Sequence, residues 1–118
     1  MSGKPLGDRG EEIAARHLSA GGWTVLTRNF RMGRKEIDLV ARRGEVVAFV
    51  EVKTRAGLGY GHPLESITAR KRREIAQVAG AWIERFGAAG DVYRFDAVAV
   101  LVRGAEPEVE HVEDAWRM

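Results

Sequence analysis

Glu51 and Lys53 stand two residues apart at the end of the most apolar run in the chain, Val-Val-Ala-Phe-Val-Glu-Val-Lys over residues 46–53. On a strand, residues i and i+2 leave the same face, so both side chains point the same way beside a core. Burying a carboxylate and an ammonium there is costly unless they are paired or hold a metal. Asp38 lies on the preceding apolar segment, and Arg43-Gly44-Glu45 makes a short hairpin connection between the two. A turn at Arg43-Gly44 puts Asp38 opposite Glu51 or close to it. Two converging carboxylates form a hard-oxygen site suited to Mg²⁺ or Mn²⁺. Such an ion polarises a phosphoryl oxygen and acidifies a bound water, and a neighbouring lysine stabilises the charge that builds on phosphorus. A bare Glu-x-Lys on a strand is usually a surface ion pair of little consequence; the apolar context and Asp38 set this one apart.

The elements that must hold these residues follow from periodicity. Residues 7–20 read as a helix, with Ile13, Ala14 and Leu18 on one face and Gly21-Gly22 at its end. Residues 23–30 and 35–42 read as strands joined by a turn at 31–33, with Ile37, Leu39 and Ala41 alternating against Glu36, Asp38 and Val40. Residues 46–53 read as a central strand buried on both faces. A glycine-rich loop, 54–64, follows. It lacks the spacing of a nucleotide-binding loop and reads as a mobile segment at the mouth of the site. Residues 65–86 read as the longest helix, 93–102 as another strand, and 109–112 as a short edge strand. The expected fold is α/β, a mixed β-sheet flanked by helices in the order helix-strand-strand-strand-helix-strand, forming a single domain over 1–118.

Composition narrows the function classes. The chain has 118 residues, 45% hydrophobic, with no cysteine, which excludes disulfides and thiolate metal sites. No stretch approaches the roughly 20 apolar residues of a membrane span, and the first residues carry no export signal, so a cytoplasmic protein is expected. Residues 1–103 hold 18 Lys/Arg against 12 Asp/Glu, whereas 104–118 hold one Arg against five acids. A basic body with an acidic end suits a polyanionic partner held on one face. The run Arg70–Arg73 cannot share one helix face, so at most part of it grips a phosphate row. His17, His62 and His111 share no ligand spacing, the three tryptophans read as packing, and Arg94 with Asp96 reads as a structural pair.

Several short motifs taken together are more specific. They are Gly7, Gly10, Glu11 and Ala14; Arg28-Asn29; Glu36-Ile37-Asp38-Leu39; Phe49-Val50-Glu51-Val52-Lys53-Thr54-Arg55; Lys71; and Arg94-Phe95-Asp96. In these the chain, over roughly residues 7–115, resembles the YraN-like family of bacterial proteins. That family is placed in the PD-(D/E)xK nuclease superfamily, with Holliday-junction resolvases as relatives. One departure is Lys35, where the family usually has glycine; it precedes the metal strand and removes no ligand. The resemblance implies a restriction-endonuclease-like fold, Asp38 and Glu51 as ligands of Mg²⁺ or Mn²⁺, Lys53 as catalytic lysine, and Glu11 as a supporting carboxylate. It points to Lys71 and Arg55 as nucleic-acid contacts. The expected function is metal-dependent endonucleolytic hydrolysis of DNA, with branched or damaged DNA among the candidate substrates. The alternative is a non-catalytic nucleic-acid-binding module on the same fold. Cutting two symmetric strands would call for a homodimer.

Overall fold

The central strand is apolar on both faces because a helix covers each of them. In the computed structural model, which describes residues 6–56 and 62–117 apart from the side chain of Pro63, this strand is β3 (Val46–Ala56). Its Ala48, Val50 and Val52 pack with Ala14, Ala15 and Leu18 of α1 (Leu6–Ala20). Its Val47 and Phe49 pack with Ile75, Val78, Ala79 and Trp82 of α2 (Ala69–Phe86). The remaining strands are β1 (Thr24–Met32), β2 (Lys35–Arg43), β4 (Val92–Val102) and β5 (Glu108–Trp116). They form one sheet in the order β1-β2-β3-β4-β5. Only the β3–β4 pair is parallel, and α2 supplies the long crossover that a parallel pair requires. This is the mixed α/β sheet flanked by helices that the sequence predicts, consistent with a restriction-endonuclease-like architecture, with β5 as a full fifth strand.

Three boundaries differ from the sequence reading, each for a local reason. The longest helix begins at Ala69 rather than at 65, because Thr68 adopts an extended conformation and its hydroxyl accepts from the Lys71 backbone N–H at 3.2 Å. An N-cap of this kind fixes a helix start, and Pro63–Ser66 forms a separate 3-10 turn. β1 runs on to Met32 and reverses at Gly33, whose φ of 63° suits glycine. β5 extends to Trp116, well beyond 112, since its acids are neutralised across the sheet: Glu113 pairs with Arg43 and Arg94, and Glu108 with Arg103. Residues 57–61, read as part of a mobile loop, lie outside the described residues. Among the described residues no helix is long and apolar enough to cross a membrane.

α1 approaches β3 closely at one residue. A Cβ built on Gly10 would lie 1.7 Å from Thr54 Oγ1 and 2.8 Å from Thr54 Cβ. The absent side chain lets the first turns of α1 rest on the end of β3, which brings Glu11 to that end of the sheet. Gly10→Ala should therefore destabilise the protein by about 1–2 kcal/mol, the overpacking cost exceeding the helix-propensity gain of alanine over glycine. Adding Thr54→Ala should recover only part of that loss, since Cβ remains too near. Urea denaturation of the single and double variants measures both; a Gly10→Ala variant as stable as the parent would refute the close approach.

Candidate metal centre

The site begins where the β2–β3 ladder ends. Pairing runs from Arg43↔Val46 to Leu39↔Val50 and stops, leaving Asp38 and Glu51 as the next residues on either side. Asp38 Oδ2 accepts instead from the Val52 backbone N–H at 2.8 Å. Asp38 is 9% exposed and Glu51 4%. Burial and the facing Glu51 carboxylate push the Asp38 carboxyl up to about 8. Burial also raises Glu51, while Lys71, Asp38 and Lys53 act in the opposite direction. Glu51 Oε2 is buried and has no hydrogen-bond partner among the described residues. The carboxylates expected to converge do so, in surroundings that leave one oxygen unused.

The cations arrive from two elements. Lys53 follows Glu51 on the same face of β3. Lys71, in the first turn of α2, exerts the largest charge effect on Glu51. Its neighbours have other partners: Arg70 pairs with Glu74 at 3.5 Å, and the Arg72 guanidinium lies 5.6 Å from the Trp116 ring centroid. Arg55 is half-buried one further alternation along β3, about 13 Å from Glu51 by strand rise. It flanks the carboxylates rather than joining them.

Glu11 reaches the centre from α1, as the resemblance implies, and a residue unassigned in the sequence reading joins it. Carboxylate oxygens of Glu11, Glu36 and Asp38 all lie within 4.8 Å of one another. Burial raises the Glu11 carboxyl; a hydrogen bond from Asn29 opposes this, and the Asp38 and Glu36 charges add to it. Asn29 Nδ2 donates to Glu11 Oε1 at 2.7 Å and to Glu36 Oε1 at 3.1 Å. Glu36 also pairs with Arg31 Nε at 2.9 Å. The signal for Glu36 was its two-residue spacing from Asp38. Asn29 stands out in the sequence only as part of the Arg28-Asn29 motif, with no role attached.

A second acidic cluster shows how this chain satisfies a buried acid that has a structural task. Asp96 is fully buried. It accepts from Arg94 at 2.8 and 2.9 Å, from the Asp114 backbone N–H at 3.0 Å, and faces His111 Nε2 at 2.7 Å. Burial works to raise its carboxyl, but the hydrogen bonds from His111, Arg94 and Asp114 prevail and hold it below its ordinary range. The Arg94–Asp96 pair is structural, as its sequence spacing suggests, with His111 as an added partner. His62 caps the 3-10 turn through Nδ1, which accepts from the Leu64 N–H at 3.1 Å, and contacts Glu110 through Nε2. Both histidines are thus engaged by acids outside the Asp38–Glu51 pair.

Comparison with known sequences places this arrangement. The pattern of the uncharacterised protein family UPF0102 matches residues 10–100, which span the α1 glycine, both strands of the carboxylate centre and the Arg94–Asp96 pair. The chain belongs to UPF0102. It is 45% identical to a UPF0102 protein of Rhodococcus jostii over 112 residues, covering 94% of this chain and 95% of that one. It is 44% identical to one from Chlorobaculum tepidum, covering 94% and 91%. A third relative, from Clavibacter michiganensis, is 49% identical, covering 93% and 94%.

Stability should report the buried acids of this UPF0102 protein with opposite signs. Asp38 holds its proton to about pH 8 when folded, against an ordinary aspartate value of 3.8. The folded state therefore binds more protons than the unfolded chain between about pH 4 and 8, and stability falls as pH rises through that window. Asp96 is depressed, so its contribution is lost as pH falls below the ordinary carboxylate range. The metal-free melting temperature should peak in mild acid and decline toward pH 8. A metal-free melting temperature that is flat or rising from pH 5 to pH 8 would contradict the buried carboxylate pair.

Proposed function

We propose that this protein is a metal-dependent endonuclease that hydrolyses phosphodiester bonds in DNA. The observation that carries the reading is the buried Asp38–Glu51 pair with an unpartnered Glu51 oxygen beside Lys53 and Lys71. Removing two like charges from water is expensive. Asp96 meets that cost with hydrogen bonds and an arginine, whereas Asp38 and Glu51 meet it only in part. An all-oxygen, net-negative donor set in a buried position fits a hard divalent cation, Mg²⁺ or Mn²⁺.

Asp38 and Glu51 would hold the ion, with Glu11 as the supporting carboxylate. When bound, such an ion supplies Lewis-acid polarisation of phosphate and a more acidic water. Lys53, on the same face as Glu51, orients the attacking water and stabilises negative charge on the phosphoryl group. Lys71 and Arg55 contact flanking phosphates from α2 and the end of β3. The resemblance to the PD-(D/E)xK nucleases supports the same reading and brings branched or damaged DNA forward as substrate. A homodimer would serve a cut in two symmetric strands, and a cytoplasmic setting suits a cysteine-free DNA enzyme. A purely DNA-binding module on this fold has no use for an unsatisfied carboxylate beside a lysine, which is why the catalytic reading is preferred.

Variants separate the roles. Glu51→Ala should abolish both Mn²⁺ binding and cleavage without unfolding the protein, because it removes a buried charge. Lys53→Ala should keep Mn²⁺ binding and lose on the order of 10²–10³-fold in cleavage rate, the usual effect of deleting a preorganised electrostatic group. Titration calorimetry with Mn²⁺ and a nuclease screen over duplex, single-stranded, flapped and four-way-junction DNA provide the readouts. A wild type that binds no metal, with Glu51→Ala lowering the melting temperature, would reduce Glu51 and Lys53 to a structural ion pair.

DNA binding has its own test. Lys71→Ala should weaken binding and reduce the slope of log K against log salt by about one phosphate contact. An unchanged slope would return Lys71 to a solvated helix turn.

A further inference from the structure

We propose that Asn29 is a positioning residue of the carboxylate centre, its side-chain amide holding Glu11 of α1 and Glu36 of β2 side by side next to Asp38. The inference rests on the metal-centre reading above and adds to it a residue that neither binds the ion nor meets the substrate.

Three observations converge on Asn29. The first is its backbone: φ is 52°, one of only two positive values at non-glycine residues among the described residues. Asparagine is among the few residues that enter this left-handed region readily. The second is its place in the sheet. Arg28↔Leu39 and Phe30↔Ile37 are paired, so the residues left between them are Asn29 on β1 and Asp38 on β2. Side-chain alternation breaks at this level. Leu39 and Ala41 pack toward α1, yet Ile37 and Phe30 join the cluster beneath α2. A left-handed residue rolls the strand, and the roll occurs beside the aspartate that leaves the β2–β3 ladder for Val52.

The third observation is the hydrogen bonding. An amide NH₂ has two hydrogens, and Nδ2 of Asn29 uses them on two different carboxylates, Glu11 at 2.7 Å and Glu36 at 3.1 Å. Those carboxylates come from two separate elements, a helix and a strand. Like charges left alone would separate, and α1 carries Glu11 on its exposed first turns. One donor shared between them fixes their spacing; the second Glu36 oxygen is held by Arg31 Nε at 2.9 Å, while Asn29 leaves Glu11 Oε2 untouched. Aspartate would have the right shape and no donor, and glutamine would enter the left-handed region less readily. The residue type is thus determined jointly by the backbone and by the two acceptors.

The test uses the full chain, with Mn²⁺ as the probe. Asn29→Gly keeps the left-handed backbone and deletes the donor. Asn29→Ser keeps a hydroxyl too short to bridge both acids. Mn²⁺ affinity by calorimetry and the paramagnetic resonance spectrum of bound Mn²⁺ are measured alongside circular dichroism and metal-free melting. Both variants should fold and bind Mn²⁺ about 10–100-fold more weakly, as is typical when the partner orienting a metal ligand is removed, with an altered spectrum. Wild-type affinity and spectrum in either folded variant overturns the proposal while leaving the centre itself intact. A lowered melting temperature with unchanged affinity means that Asn29 is only structural, and failure of both variants to fold means the same. A wild type that takes up no Mn²⁺ overturns the metal-centre reading, and the role of Asn29 with it.

Discussion

Asp38 takes the place of a backbone rung. Where the β2–β3 ladder stops after Leu39↔Val50, the Asp38 carboxylate receives the Val52 N–H that the neighbouring strand no longer satisfies. An unpaired buried N–H would cost on the order of 1–3 kcal/mol, so the side chain is drawn inward and held there. That single bond sets the depth of the centre. It places one carboxylate below the surface, beside Glu51, at the level where β1 has its left-handed Asn29. β2 can leave β3 here because a side chain takes over the bonding that its backbone gives up.

The electrostatics follow from that depth. The first turn of α2 lies where the chain returns from the end of β3, so the helix N-terminus and Lys71 come to the carboxylate end of the sheet. Lys71 and Lys53 both favour ionised Glu51. The opposing influence is burial, which wins at Asp38. In Asp96 the balance goes the other way, because an arginine and a backbone N–H donate directly to it and His111 lies against it. The same residue type thus behaves as a latch joining β4 to β5 in one place and as a proton-holding acid in another. The difference is the number of donors within reach.

Much of this was legible before the structure. Glu51 and Lys53 stand out because a charged pair ends an apolar strand, and Asp38 follows from the shortness of the Arg43-Gly44-Glu45 turn, which leaves little freedom in register. α2 shows its stripe of Ile75, Val78, Ala79 and Trp82 plainly. What stayed hidden depended on long-range partners. β5 looked short because Glu110, Glu113 and Asp114 break its apolar pattern, and only Arg43 and Arg94 from other strands explain why Glu113 sits comfortably there. The start of α2 was misplaced by four residues because Thr68 competes with the turn before it. Arg28-Asn29 was visible as a motif, but the role of Asn29 was not, since it lies in a dihedral angle and in acceptors 18 residues before and seven residues after it.

Gly10 and Asn29 solve complementary parts of one problem. Four carboxylates from three elements, Glu11, Glu36, Asp38 and Glu51, repel one another, and the fold must assemble them without an ion. Glycine lets α1 descend onto Thr54 far enough for Glu11 to arrive. Asn29 then supplies the donor that Glu11 and Glu36 share, the Val52 N–H secures Asp38, and the core strand fixes Glu51. The anchoring is divided among several groups, so none of them has to oppose the whole repulsion. The residual imbalance is concentrated on the Asp38–Glu51 pair and its unused oxygen, the most buried part of the cluster and the part nearest the two lysines. Without an ion, Asp38 answers that imbalance by keeping its proton to about pH 8.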